Sequence, residues 1–520
     1  MRVTLLVVSA ALLLPLAAAQ HEGMMGGEGM AMVLHDGPNS GRAVVGSVTH
    51  FGFALLDKDG APTPHQNAAF LVTLDNVTTF QTNDTHEYDG LFSLDLVFAH
   101  AGHYRVEAMS GKMAMGVFEG DAVMPVNETV AKAAIKLAPA MQEGNAADVV
   151  VDVQDAAGKT IPHTDALLEW RDARTGALVS RTHAHIHEKP IQLTQAFDAP
   201  GTYDLQVTAY KAYATGTSTD VAAVLGKATF DAGPLALPNA PDPSALPPAV
   251  MEPAGATAKG KTITLYGMYD PQNQIVMGFP IRLSGLVEGA DHMPKPHVDF
   301  SFTLAGPRGT VFQSSTLHEY DGHFEYLYVP QVPGAYDGML TANDGGDKVS
   351  VPFHVQVLPP SAMASATSMG SAGLATIDVK GLDKVVAGEP TTLTFSASNQ
   401  AGPIQHSEVD VTIGQAGKPA LYNFKLHTHD SGDTKAVVVF PDAGDYVVRV
   451  DPLPTDIGPV VFAGPDGPGA PIVFHAKAAP GALAPASASP LTQATRPAPG
   501  FEAPALVFGA IALALLLRRK

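Results

Sequence analysis

Histidines are the residues in this chain with the types and spacing to do chemistry. The sequence has 20 of them and no cysteine. Most recur at two positions of a repeating pattern, an early histidine followed about 21 residues later by another. The pairs are His65 and His86, His163 and His183 or His185, His297 and His318, and His406 and His427, with His187 and His429 beside the later members. An acid or amide stands two places after each early histidine: Asn67, Asp165, Asp299 and Glu408. Imidazole with a nearby carboxylate is a donor set for divalent first-row metals. Without cysteine, any metal must be held by His, Met, Asp or Glu, and disulfides, thiolate zinc sites, iron–sulfur clusters and blue-copper centres are excluded.

The elements that would position these pairs can be read from the turns between them. Midway in each pair lie turn-forming residues: Asp75-Asn76, Arg171 to Gly176, Ala305 to Gly309, and Ala416-Gly417. A hairpin centred there sets the two histidines opposite each other, with Cβ atoms roughly 4.5–5.5 Å apart. Apolar residues at the third, fifth and seventh places after each early histidine predict which face turns inward. They are Ala68, Phe70 and Val72; Ala166, Leu168 and Trp170; Phe300, Phe302 and Leu304; and Val409, Val411 and Ile413. The histidines and their acid or amide then face solvent. Such a hairpin offers one modest metal site per unit, copper first on the Irving–Williams order and zinc second. The same pattern also suits a structural role, with neutral imidazoles stacked across the strands and bonded to carboxylates.

Four copies of one unit of about 100 residues carry these pairs. Each copy ends in a strand opened by a small residue and a tyrosine, at Tyr104, Tyr203, Tyr336 and Tyr446, which resembles the tyrosine corner of immunoglobulin-like sandwiches. With Gly at 50 and Pro at 42 of 520 residues, the composition suits a turn-rich all-β chain. The expected architecture is four tandem immunoglobulin-like β-sandwich domains at 36–125, 126–233, 258–358 and 374–476. Proline-rich spacers are expected at 234–257 and 359–373, with a Pro/Ala-rich stalk at 477–498. A weak helical pattern covers Glu128 to Leu137. A net charge of −20 spread along the chain excludes a nucleic-acid partner that needs a basic surface. No His-Glu-x-x-His, Gly-x-Ser-x-Gly or phosphate-binding glycine loop is present, so the chain reads as a non-enzyme.

The two ends bear on compartment. Residues 1–19 combine a basic start, an apolar run and an Ala-rich exit, the pattern of a secretory signal. The segment that follows, 20–35, is rich in Met and His and includes His21, Met24 and Met25. A histidine near a free amine can chelate Cu(II), and thioethers select Cu(I). At the other end Pro499-Gly500-Phe501 precedes an apolar run from Ala503 to Leu517 and then Arg518-Arg519-Lys520. This end, 499–520, resembles the PGF sorting signal of archaeal surface proteins. The resemblance implies removal of the tail by an archaeosortase-type protease and attachment of a lipid; a plain membrane anchor at the C-terminus is the alternative. Either arrangement places the chain on the outer face of the cell membrane, where Asn76, Asn83 and Asn127 are candidate glycan acceptors. The His- and Met-bearing units are similar, by analogy only, to periplasmic β-sandwich copper proteins. Two readings follow: a surface-anchored protein that buffers or delivers copper, Cu(II) or Cu(I), or a structural surface protein or adhesin on a β-sandwich stalk.

Overall fold

A sandwich of two short sheets leaves strand edges whose backbone groups need partners, and the way this chain covers them sets its architecture. The computed structural model describes residues 31–478 apart from 37–41, 65, 111–112, 125–127, 130–131, 140–144, 211–219, 222–223, 234–254, 271–274, 279, 320–321, 360–374, 400–401, 405–407, 416–417, 419, 429–431, 453–461, 465–466 and 469–471. The secretory segment, His21, Met24, Met25, His65, Asn127, His406, His429, most of both spacers, and the stalk and Pro499-Gly500-Phe501 end lie outside the described residues.

The chain is all-β, with four tandem sandwich units. Unit one packs a three-stranded sheet (Ala31–Asp36, Val48–Leu56, Leu91–Val97) on a four-stranded one (Met113–Val123, Gly102–Ser110, Gln66–Leu74, Val77–Thr82). Units two and four repeat this plan, and unit three widens the smaller sheet to four strands with Gly255–Lys259. The residues expected to point inward do so: Val72, Leu168, Phe302 and Val411 are buried, together with all their counterparts. Tyrosine corners close units two, three and four. The hydroxyls of Tyr203, Tyr336 and Tyr446 each donate to a carbonyl four residues upstream, at Ala199, Val332 and Asp442, each at 2.9 Å.

Three local expectations need correction. The helical pattern near Glu128 is not realised: Lys132–Pro139 is a strand paired antiparallel with Ala146–Gln154, because an open sheet edge next to it outweighs a weak helical preference. Unit three begins at Gly255, inside the expected spacer, since Gly255–Lys259 pairs with Ile263–Asp270. Met32, read with the exposed N-terminal segment, is core: Ala31–Asp36 pairs with Val48–Leu56 and buries it.

The edges are covered by exchange between units that are not neighbours for unit one and unit four. In unit one Val77–Thr82 pairs with Asp433–Val439 of unit four, and in return Ala420–His427 of unit four pairs with Leu91–Val97. Units two and three do the same: Leu178–Ile186 pairs with His323–Tyr328, and Gly309–Ser314 with Ile191–Ala196. In each pair, a sheet of one unit runs on into the opposite sheet of the other. The exchange is reciprocal, as in an isologous dimer folded into one chain. Each pair also has one continuous apolar core.

The two pairs meet through a buried layer of charge. Arg282 of unit three is fully buried, 3.2 Å from Glu87 of unit one and 3.7 Å from Glu408 of unit four, and its guanidinium lies 4.2 Å over the Tyr88 ring. Lys425 of unit four reaches Glu87 at 3.2 Å and Glu325 of unit three at 3.4 Å. Arg171 of unit two holds both carboxylate oxygens of Asp451 in unit four, at 3.1 and 2.8 Å. Arg181 pairs with Glu169 and Asp410. The His-Glu-Tyr-Asp-Gly motif of unit one serves this docking. Glu87 and Tyr88 hold Arg282, and Asp89 accepts from Ser284 Oγ at 2.7 Å. Gly90 turns at φ 72°, where a Cβ would lie 2.4 Å from the Thr63 carbonyl oxygen.

Two outcomes follow. Changing Tyr203 to Phe removes its corner hydrogen bond and is expected to cost about 1 kcal/mol in denaturant unfolding, while Tyr336→Phe and Tyr446→Phe, which also lose contacts to Asp198 and from Gln415, are expected to cost more. Asp451→Ala leaves Arg171 buried without its bidentate partner and is expected to cost about 3–5 kcal/mol. Arg171 and Arg181 outweigh the cost of burial and hold Glu169 at about 2, against an ordinary 4.5, and Asp451 is lowered as well. A depressed carboxylate contributes stability above its unfolded value and loses it as pH falls through the folded one. The thermal midpoint should therefore drop as pH falls from about 4.5 towards 2, and Asp451→Ala should flatten that slope.

Candidate metal centre

The paired histidines converge at the junctions between paired units rather than one site per hairpin. Each expected hairpin is present, and the tips of units one and three centre where expected, with Leu74 opposite Val77 and Gly306 opposite Gly309. His163 and His297 are nevertheless not opposite their later histidines. Extra residues bulge the return strands, with register shifts at Val72/Thr73 and Leu304/Ala305. By the height of the histidines the register has moved two places, so each later histidine faces the acid or amide: Asn67 with His86, Asp165 with His185, Asp299 with His318, and Glu408 with His427. The prediction of directly opposed histidine pairs is corrected accordingly for His163 with His185 and His297 with His318; His65 and His406 lie outside the described residues. The solvent-facing set holds for Asn67 and His297, which are exposed, and in part for Asp299, whereas Asp165, His185, Glu408, His427 and His86 are buried.

Register with the acid gives each later histidine a defined orientation. Asp165 Oδ1 accepts from His185 Nδ1 at 2.8 Å, and Asp299 Oδ1 from His318 Nδ1 at 2.8 Å. This fixes the tautomer and turns each Nε2 lone pair away from its acid. The early histidines complete the arrangement. His163 Nδ1 lies 3.4 Å from His185 Nε2, and His297 Nδ1 lies 3.2 Å from His318 Nε2. Both early histidines sit just after a proline in the left-handed region, at φ 56° and 59°. That conformation is costly for a non-glycine residue and is found where a side chain must be aimed.

Exchange between units two and three then brings the two sets together. His185 and His318 are strand partners, with ring centroids 5.8 Å apart. His187 stands among them, 4.6 Å from His163, 5.0 Å from His318 and 5.9 Å from His297 between centroids. Sequence reasoning noted His187 beside the later position without assigning it a role; its place on the same strand face as His185, two residues away, was the available signal. His183 goes elsewhere. It lies 3.4 Å from Glu319 of unit three and stacks on His50 of unit one at 6.1 Å, while His50 bonds Asp95 at 2.6 Å.

The electrostatics favour neutral imidazoles at His297 and His318. Partial burial, with His318 and the other rings beside it, pushes His297 down to about 4. Burial also lowers His318, although Asp299 opposes the shift. Asp165 is held below its ordinary value despite burial, His185 being the chief cause. Neutral rings anchored by ionised carboxylates are the ligand state that a metal ion needs. Both separations, 3.4 and 3.2 Å, are within hydrogen-bond distance between imidazole nitrogens, and they lie near the roughly 3.3–3.4 Å between two nitrogens on a tetrahedral ion, the geometry of zinc rather than of tetragonal Cu(II).

The junction of units one and four differs in its donors. His86 Nδ1 donates to Asn67 Oδ1 at 2.6 Å, His86 Nε2 is 3.8 Å from Glu408 Oε1, and the His86 and His427 rings are 5.3 Å apart. One donor atom from each of His86, Glu408 and His427 lies within 4.8 Å of the others. Glu408 was read from sequence as a neighbour of its own hairpin's histidines, whereas exchange between units brings it to His86. His292 is an exposed turn residue bonded to Glu288. Asn76 and Asn83 are exposed, as glycan acceptors must be.

No family model matches the chain, and no curated protein does either. Among solved structures it is similar to the native conformation of Escherichia coli alpha-2-macroglobulin, at 9% identity over 87% of this chain and 46% of that one, TM-score 0.19. A Salmonella alpha-2-macroglobulin mutant gives 8% identity over 89% and 47%, TM-score 0.20. A tetra-tandem repeat in the extending region of a large adhesion protein gives 14% identity over 86% and 98%, TM-score 0.15. The chain spans about half the length of the macroglobulins it matches, and scores of this size carry no functional argument.

Proposed function

We propose that this chain is an exported surface scaffold of β-sandwiches whose chemistry is transition-metal binding, copper before zinc, at the imidazole cluster shared by units two and three. One observation carries the metal reading. Five imidazoles from two units meet at one junction, and two of them are oriented by carboxylates so that Nε2 faces another imidazole nitrogen at 3.2–3.4 Å. An imidazole-only donor set favours Cu(II) over Zn(II). The rim of the cluster is open at His297, which is exposed, so an ion can enter and leave. That suits buffering or handing-on at the membrane surface better than a permanent cofactor.

A second reading has its own support. The exchanged edges and the buried charge layer serve only to lock the four sandwiches together, as a structural surface protein or adhesin requires. On that reading the rings are neutral cross-strand partners and nothing more.

A Cu(II) titration by calorimetry, with a competing chelator, on residues Gln20 to Pro499 separates the two. The metal reading expects one strong site in the cluster, lost in the double variant His185→Ala/His318→Ala. It also expects binding weakened about 10–100-fold in Asp165→Asn, which removes only the partner that orients His185. Copper affinity unchanged in both variants leaves the scaffold reading.

A further inference from the structure

We propose that His86, His427 and Glu408 form a second metal site, shared by units one and four, that takes a zinc-like divalent cation. It does not rest on the imidazole cluster between units two and three. Two imidazoles and one carboxylate are the protein ligands of open zinc centres, which keep a fourth position for water or substrate. The three donor atoms lie within 4.8 Å of one another, from residues that are all buried. The surroundings orient them as metal ligands are oriented. Asn67 accepts from His86 Nδ1 at 2.6 Å, which directs Nε2 towards Glu408, and Arg282 approaches the other oxygen of Glu408 at 3.7 Å.

The Glu408 carboxylate also separates this site from its counterpart. An oxygen donor suits a harder ion than an all-imidazole cluster does, so Zn(II) and Co(II) are the ions expected here and Cu(I) is disfavoured.

The test is a titration of the full chain with Co(II), read by the visible absorption of a tetrahedral site, and with Zn(II) in competition. Every sample carries His185→Gln and His318→Gln, which silence the other cluster, and circular dichroism checks the fold. One equivalent of Co(II) is expected to bind and to be displaced by Zn(II). Affinity is expected to fall at least about tenfold in Glu408→Gln and in His427→Gln, and to rise up to about tenfold in Asn67→Asp, where a carboxylate replaces the amide on His86. Absence of Co(II) binding in this background overturns the proposal, as does equal binding in all variants. Should Glu408→Gln and His427→Gln fail to fold, Asn67→Asp decides alone, and unchanged affinity overturns the site. Because the imidazole cluster is silenced throughout, neither result bears on copper at the other junction.

Discussion

Everything in this structure depends on the open edge of each hairpin. A sandwich of three strands on four cannot satisfy the backbone of its last hairpin strand by itself. Here the strand of one unit supplies the missing neighbour for another, and the debt is returned by the same elements. Units one and four thereby become one body, and units two and three another. The reciprocal geometry places the later histidines of two units side by side at each junction, as with His185 and His318. A metal ion would need several donors at one point, and edge exchange is what brings these imidazoles together.

The charge layer between the two bodies is a second consequence. Once the sheets are continuous, their outer faces are broad, and two of them stack on each other. Those faces carry Glu169, Arg171 and Arg181 on one side and Asp410, Lys425 and Asp451 on the other. Burying unpaired charge would be prohibitive, so pairing must be nearly complete and its geometry specific. Such a layer adds little net stability but rejects any misaligned stacking of the two bodies. It also connects the junctions: Glu408, a donor at one of them, touches Arg282 of unit three.

How much of this was legible in the sequence differs by level. The alternation of Phe300, Phe302 and Leu304 and its three counterparts correctly separated inward from outward residues, because a strand's period of two is local. Corner tyrosines were legible for the same reason. The hairpin tips at Asp75-Asn76 and Ala305 to Gly309 were also placed correctly, yet the partners of the histidines were not. A bulge adds one residue to one strand, carries no fixed residue signature, and shifts every pairing beyond it. The helical pattern near Glu128 misled because an available sheet edge outweighs a small intrinsic preference.

The sequence by itself determined an all-β chain of four like units, the inward face of each strand, and the imidazole-with-carboxylate character of its chemistry. These are consequences of composition and of periods spanning a few residues. Only the tertiary structure decided which histidines share a site, that Glu408 joins His86, that His183 leaves for His50, and that the outward charges are buried. Each of those facts depends on contacts between residues far apart in the chain, such as Arg171 with Asp451. Outward-facing charges look the same in sequence whether water or another sheet covers them, because alternation records the direction of a side chain and not what lies beyond it.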